Sequence, residues 1–172
     1  MATTYLIVHQ VSYKYIKDIV DDTWRNIAKH AGNPAEFHLV DAIEKVAIQK
    51  GSTVFVIGDP FKAFHRVEEV TYIFLNFSVL VMTGSPFSFS FGAYKLLSYK
   101  RKVLESKLAC FDYILDYWPA QTNILRKKFQ KFGKPVDSFP VGLNPVAESA
   151  LIPLSARKYD VCFVGSDSPR RT

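Results

Sequence analysis

Thr53-Val-Phe-Val-Ile57 is a run of five β-branched or aromatic residues that stops at Gly58-Asp59-Pro60. Such side chains suit the pleated surface of a sheet, and the glycine and proline behind them punctuate a turn. The run therefore predicts a buried strand. Working back from it, residues 36–40 read as another strand, and Asp41 with Glu44 resembles a capping box for a short helix that Gly51 stops. Further back, residues 5–8 form a first buried strand ending at His9-Gln10, and residues 11–15 read as a loop. Ile16, Ile19, Val20, Trp24, Ile27 and Ala31 then recur at helical spacing, until Gly32 and Pro34 end the helix.

Working forward, residues 61–77 read as a helix and residues 79–82 as a fourth strand ending at Thr83-Gly84-Ser85-Pro86. Residues 94–108 predict a basic helix with Leu97, Leu104 and Leu108 on its apolar side, and residues 111–115 a fifth strand. Pro119 opens a helix carrying Ile124, Leu125, Phe129 and Phe132, which Gly133 and Pro135 end. Residues 138–141 read as a last short strand, and residues 146–158 as a linker. Strands alternating with helices at this spacing imply an α/β fold, a Rossmann-like parallel sheet with helices on both faces.

At 172 residues the chain is long enough to bury a sizeable core. A hydrophobic share of 48% with 22% charged residues fits a soluble globular protein rather than a disordered one. The longest apolar run, residues 70–82, is broken by Asn76 and falls short of the roughly 20 residues that span a bilayer. No basic stretch precedes the short apolar run at residues 5–8, as a secretory signal would require, and Cys110 and Cys162 read as buried thiols. These features predict a cytoplasmic protein. Charge is uneven: 8 Lys and Arg stand against 9 Asp and Glu in residues 1–90, but 14 against 7 in residues 91–172. An anionic partner for the second half (phosphate, membrane surface or nucleic acid) and a merely well-solvated set of helices both account for that.

The final stretch, Tyr159-Asp-Val-Cys-Phe-Val-Gly165-Ser166-Asp-Ser168-Pro169-Arg170-Arg171-Thr172, reads as a strand, a glycine turn and a helix start. Ser168 is placed to cap that helix and Pro169 to occupy its first position. Strand end, helix N-terminus and paired guanidinium groups together make a phosphate site. The stretch reads as the opening of a second domain, with a boundary that gives residues 1–153 to the first domain and 154–172 to the second. These residues resemble the linker-to-second-domain start of two-domain GT-B glycosyltransferases, in particular the CgeB-like, spore-maturation group. Leu115-Asp116-Tyr117-Trp118-Pro119-Ala120, with Asn123 and Leu125, and Phe139-Pro140-Val141-Gly142-Leu143-Asn144-Pro145 are similar to that group's closing first-domain motifs. The likeness runs from residue 111 to 171 and is architectural before that.

The resemblance implies a first domain that binds a hydroxyl acceptor and can supply a base, and a second that binds the nucleotide-sugar. It implies no further cofactor. Gly165, Ser166, Arg170 and Arg171 would then meet the donor diphosphate. In open α/β sheets ligands sit outside the carboxyl ends of the strands, where this chain places His9, Gly58-Asp59, Gly84-Ser85, Asp116 and Asn144. His9 is a candidate base or a structural histidine. Asp59 and Asp116 are rival bases, or turn and cap residues. Tyr117 and Trp118 are positioned to stack on a sugar or to pack a cleft. Phe87, Phe89 and Phe91 beside Lys95 and Lys100 make either half of a core strand or an apolar patch suited to a membrane surface or a lipid-linked acceptor. Four scattered histidines and two distant cysteines give no metal-ligand spacing, and the phosphate loops of ATPases and dinucleotide enzymes do not occur. The competing reading is a non-catalytic α/β binding module whose basic surface engages a protein, a membrane or nucleic acid.

Overall fold

The structure is a computed structural model and describes residues 2–58, 61–77, 102–117, 119–129 and 133–139. The chain divides into two compact units, Met1–Val141 and Gly142–Thr172, and every described residue belongs to the first. The expected boundary after residue 153 lies outside the described residues.

The element order is β1 (Thr4–His9), α1 (Gln10–His30), β2 (Ala35–Val40), a 3-10 turn (Ile43–Lys45), β3 (Thr53–Ile57) and β4 (Thr71–Asn76). Helical residues 102–109 (α2), β5 (Tyr113–Asp116), α3 (Pro119–Phe129) and β6 (Val136–Ser138) follow. The strands form one six-stranded sheet in the order β2-β1-β3-β4-β5-β6, and every neighbouring pair is parallel. The Rossmann-like α/β expectation is therefore met.

Alternation along the strands divides two cores. From β1, Leu6 and Val8 face Val20, Ile16 and Trp24 of α1. Tyr5 and Ile7 face the other way, among Ile43, Phe64, Leu108, Leu125 and Phe129. Helices thus cover both faces, which is why residues 5–8 are apolar without a break.

Four expectations need correction. Residues 11–15 are helical, not a loop. α1 begins directly after His9, whose Nδ1 accepts the Val11 N–H at 3.2 Å and so caps the helix. Histidine is not a favoured cap, and Ile16 leaves helical geometry (φ −129°, ψ 30°), so the apolar rhythm of the sequence starts only at that break. Residues 61–77 are not a helix either: residues 61–70 cross over without one, and β4 occupies Thr71–Asn76. Phe61, Phe64 and Val70 are buried, so an every-third-residue rhythm imitated helical spacing. Residues 79–82, expected as the fourth strand, lie outside the described residues. The Asp41–Glu44 capping box does not form. Ile43 and Val46 dip into the core around a single 3-10 turn whose cap, Ala42, makes no side-chain bond, and Asp41 pairs with Lys45 at 2.7 Å instead. The last strand is Val136–Ser138, upstream of 138–141, because Val136 is the residue that reaches the core.

Candidate functional site at the carboxyl edge

From β1 the chain steps outward to β2, then returns to the other side of β1 as β3. The order therefore reverses between β1 and β3, and a doubly wound sheet opens its ligand crevice at that point, beyond the carboxyl ends. The residues there are His9 and Gly58. Gly58 has φ +141°, and a Cβ on it would stand 2.5 Å from His9 Cβ and 3.3 Å from Ser12 Oγ. Only glycine lets the end of β3 come this close to the end of β1 and the first turn of α1.

His9 is 7% exposed, and its ring meets Phe61 edge-on at 4.8 Å. Burial holds the imidazole below its ordinary value. The Asp41 carboxylate opposes that shift, and the charge of Lys107 adds to it. The ring is accordingly neutral near pH 7. Because Nδ1 accepts from Val11, the proton resides on Nε2. In this state the ring N–H is directed to the Asp41 main chain, and the imidazole becomes a base only if the α1 cap is released.

Lys107 is 3% exposed, donates from Nζ to the Gly58 carbonyl at 3.0 Å, and lies 4.6 Å from the centre of the Phe74 ring. Nothing in the sequence reading singled it out. The available signal was its place one turn from Leu104 and beside Leu108, on the apolar side of its helix, where a lysine needs a buried acceptor.

A second polar group sits at the ends of β4 and β5. Asn76 and Asp116 are paired in register. The Asn76 amide donates to Asp116 Oδ1 at 2.9 Å, the Gln121 amide donates to the same oxygen at 3.0 Å, and the Thr122 hydroxyl approaches Oδ2 at 3.5 Å. All four residues are buried. The carboxyl group thereby ties two strands to the first turn of α3, and the Tyr117 N–H adds a bond to the Asn76 carbonyl at 3.2 Å. Three strand spacings separate β1 from β5, about 14 Å, so His9 and Asp116 do not form one catalytic pair.

Next to the switch point an open cleft of about 460 Å³ lies over β3 and β4, lined by Ser12, Tyr15, Ile16, Ile57, Gly58, Phe74, Leu75, Asn76 and Phe77. No family model, curated protein or solved structure matches this chain. The site therefore has to be read from its own chemistry. Among the described residues no three His, Cys, Asp or Glu side chains are grouped to hold a metal ion, and no helix is long and apolar enough to cross a membrane.

Of the candidates named from sequence, the structure brings His9, Gly58, Asp116 and Tyr117 to the carboxyl edge. Asp59, Gly84, Ser85, Trp118, Asn144, Gly165, Ser166, Arg170 and Arg171 lie outside the described residues. The cleft escaped the sequence reading because its rim, Ser12 and Tyr15, belongs to the part of α1 that read as a loop.

Proposed function

We propose that this chain is the acceptor-side first domain of a cytoplasmic GT-B-like glycosyltransferase, completed by a nucleotide-sugar-binding domain that opens within residues 154–172. The observation that carries the reading is the cleft beside the topological switch point of a parallel doubly wound sheet. The sequence likeness over residues 111–171 supplies the reaction class. In that reaction an acceptor oxygen forms a bond to the sugar C1 as the bond from C1 to the diphosphate oxygen breaks, and the hydroxyl proton passes to a base. Gly165, Ser166, Arg170 and Arg171 are assigned to the departing diphosphate, where amides and guanidinium groups stabilise the developing charge. His9 is assigned to building the edge, through the α1 cap that its Nδ1 makes. Asp116 is assigned to building the edge, since three side-chain donors converge on it.

Calorimetry of the 172-residue chain against a panel of nucleotide-sugars tests the division of labour. The reading predicts very weak donor binding and no transfer by this chain, because it assigns the nucleotide-sugar to the second domain. Micromolar donor binding or turnover by this chain would contradict it. One observation favours the second reading, a non-catalytic module: the excess of 14 Lys and Arg over 7 Asp and Glu in residues 91–172. Salt-sensitive association with anionic vesicles or nucleic acid, without any small-molecule binding, would select that reading instead.

A further inference from the structure

The cleft differs in chemistry from the rest of the carboxyl edge. Its floor is Ile57 and Leu75, which belong to the core under α1 with Leu6, Val8 and Val20. Phe77 and Ile16 form its walls. Phe74 and Asn76 border it along β4 while their side chains turn to the opposite face, toward Phe111 and Asp116. Ser12 and Tyr15 make the rim, and Tyr15 is 75% exposed. The break at Ile16 separates these first turns, where Val11 is also exposed, from the body of α1, where Val20 is fully buried. Among the described residues, none that lines the cleft carries a charge at neutral pH, and the cationic Lys107 lies on the other side of the sheet, against Phe74.

Three consequences follow for a ligand. A charged one would give up hydration without meeting a counter-charge among these described residues, so a neutral one is preferred. A bare sugar carries more hydroxyl groups than two side-chain hydroxyls and the Gly58 main chain can pair, and each unpaired group would cost affinity. A flat ring, in contrast, covers the Ile57–Leu75 floor and meets the Phe77 and Tyr15 rings. We propose that this cleft binds a neutral aromatic alcohol, with its ring between Phe77 and Tyr15 and its hydroxyl toward Ser12 and Gly58. That such an alcohol is also the sugar acceptor rests on the glycosyltransferase reading; that it binds does not.

The test is calorimetric titration of the chain with naphthol, with naphthoate as an anion of the same shape, and with methyl glucoside as a sugar without the ring. Naphthol is expected to bind, naphthoate at least about tenfold more weakly because its carboxylate has no partner, and methyl glucoside not measurably. Tyr15→Ala, at an exposed position that the fold does not need, should weaken naphthol about fivefold. Ser12→Trp should fill the rim and abolish binding. Naphthoate binding as tightly as naphthol, or naphthol affinity unchanged in Tyr15→Ala, would overturn the proposal whether or not Ser12→Trp folds. Transfer assays on a protein carrying the second domain separate the two claims. Alcohols that bind in the cleft but are never glycosylated would remove the glycosyltransferase reading and leave the site. Glycosylation of alcohols that do not bind in the cleft would do the reverse.

Discussion

The two edges of the sheet each hold a lysine on main-chain carbonyls, yet they are built for different ends. At the amino edge Lys134 reaches the carbonyls of Ala109, at 2.6 Å, and of Phe111. Beside it Asp112 Oδ2 takes both the Arg66 guanidinium, at 2.6 Å, and the Tyr72 N–H, at 2.9 Å, and Arg66 also bonds the Val70 carbonyl. These groups stitch the irregular crossover at residues 61–70 to β4 and β5, and they are partly open to solvent. At the carboxyl edge Lys107, His9, Asn76 and Asp116 are buried, and a cleft opens beside them. The amino edge spends its polar groups closing the fold. The carboxyl edge holds its backbone in tight, specific geometry next to open space, the arrangement that ligand sites in parallel sheets use.

The largest expected effect is at the carboxyl edge. Gly58→Ala forces a Cβ to 2.5 Å from His9 at a positive φ. Backbone strain of about 1–3 kcal/mol and overpacking of a similar size predict a loss of roughly 3–5 kcal/mol in urea denaturation. A loss under about 1 kcal/mol would mean that the edge is not tight. Next comes Asn76→Ala, which strips a donor from the buried Asp116 carboxyl group and should cost about 2–3 kcal/mol. Asp112→Ala removes two bonds at the amino edge, but its pair with Arg66 is about one-third exposed, so about 1–2 kcal/mol is expected there. An Asp112 variant less stable than the Asn76 one would invert the comparison.

A smaller effect is one of pH. The imidazole of His9 titrates below its ordinary value in the folded chain, chiefly through burial. Above the unfolded value of about 6.5 both states are neutral, and the Val11 cap contributes fully. As pH falls below that value the unfolded chain takes up the proton first, so stability declines toward the lower folded value. His9→Gln should flatten that part of the stability–pH curve, and a curve identical to the parent's would show that His9 is not protected in this way.

Much of this contrast was legible in the sequence, and the failures have physical causes. β1 and β3 stood out because strands buried on both faces are apolar throughout, and Pro119 marked the start of α3 to the residue. β4 was misplaced because Phe61, Phe64 and Val70 mimic a helical stripe, although the chain turns at Glu69 (φ 61°) straight into Thr71-Tyr-Ile-Phe-Leu75. The start of α1 was missed because its cap is a histidine. The acceptor of the buried Lys107 was invisible because the Gly58 carbonyl lies 49 residues away. The polar partners of Asp116 were equally hidden, since Asn76 meets it only through strand register.

The central claim, that the carboxyl edge is the working edge, is tested most directly by amide-resolved NMR of the chain titrated with naphthol. The account predicts shifts at Ser12, Tyr15, Gly58 and Phe77, and none at Ser52, Val70, Asp112 or Lys134. Shifts centred on the amino-edge residues, or none at either edge at millimolar ligand, would contradict it.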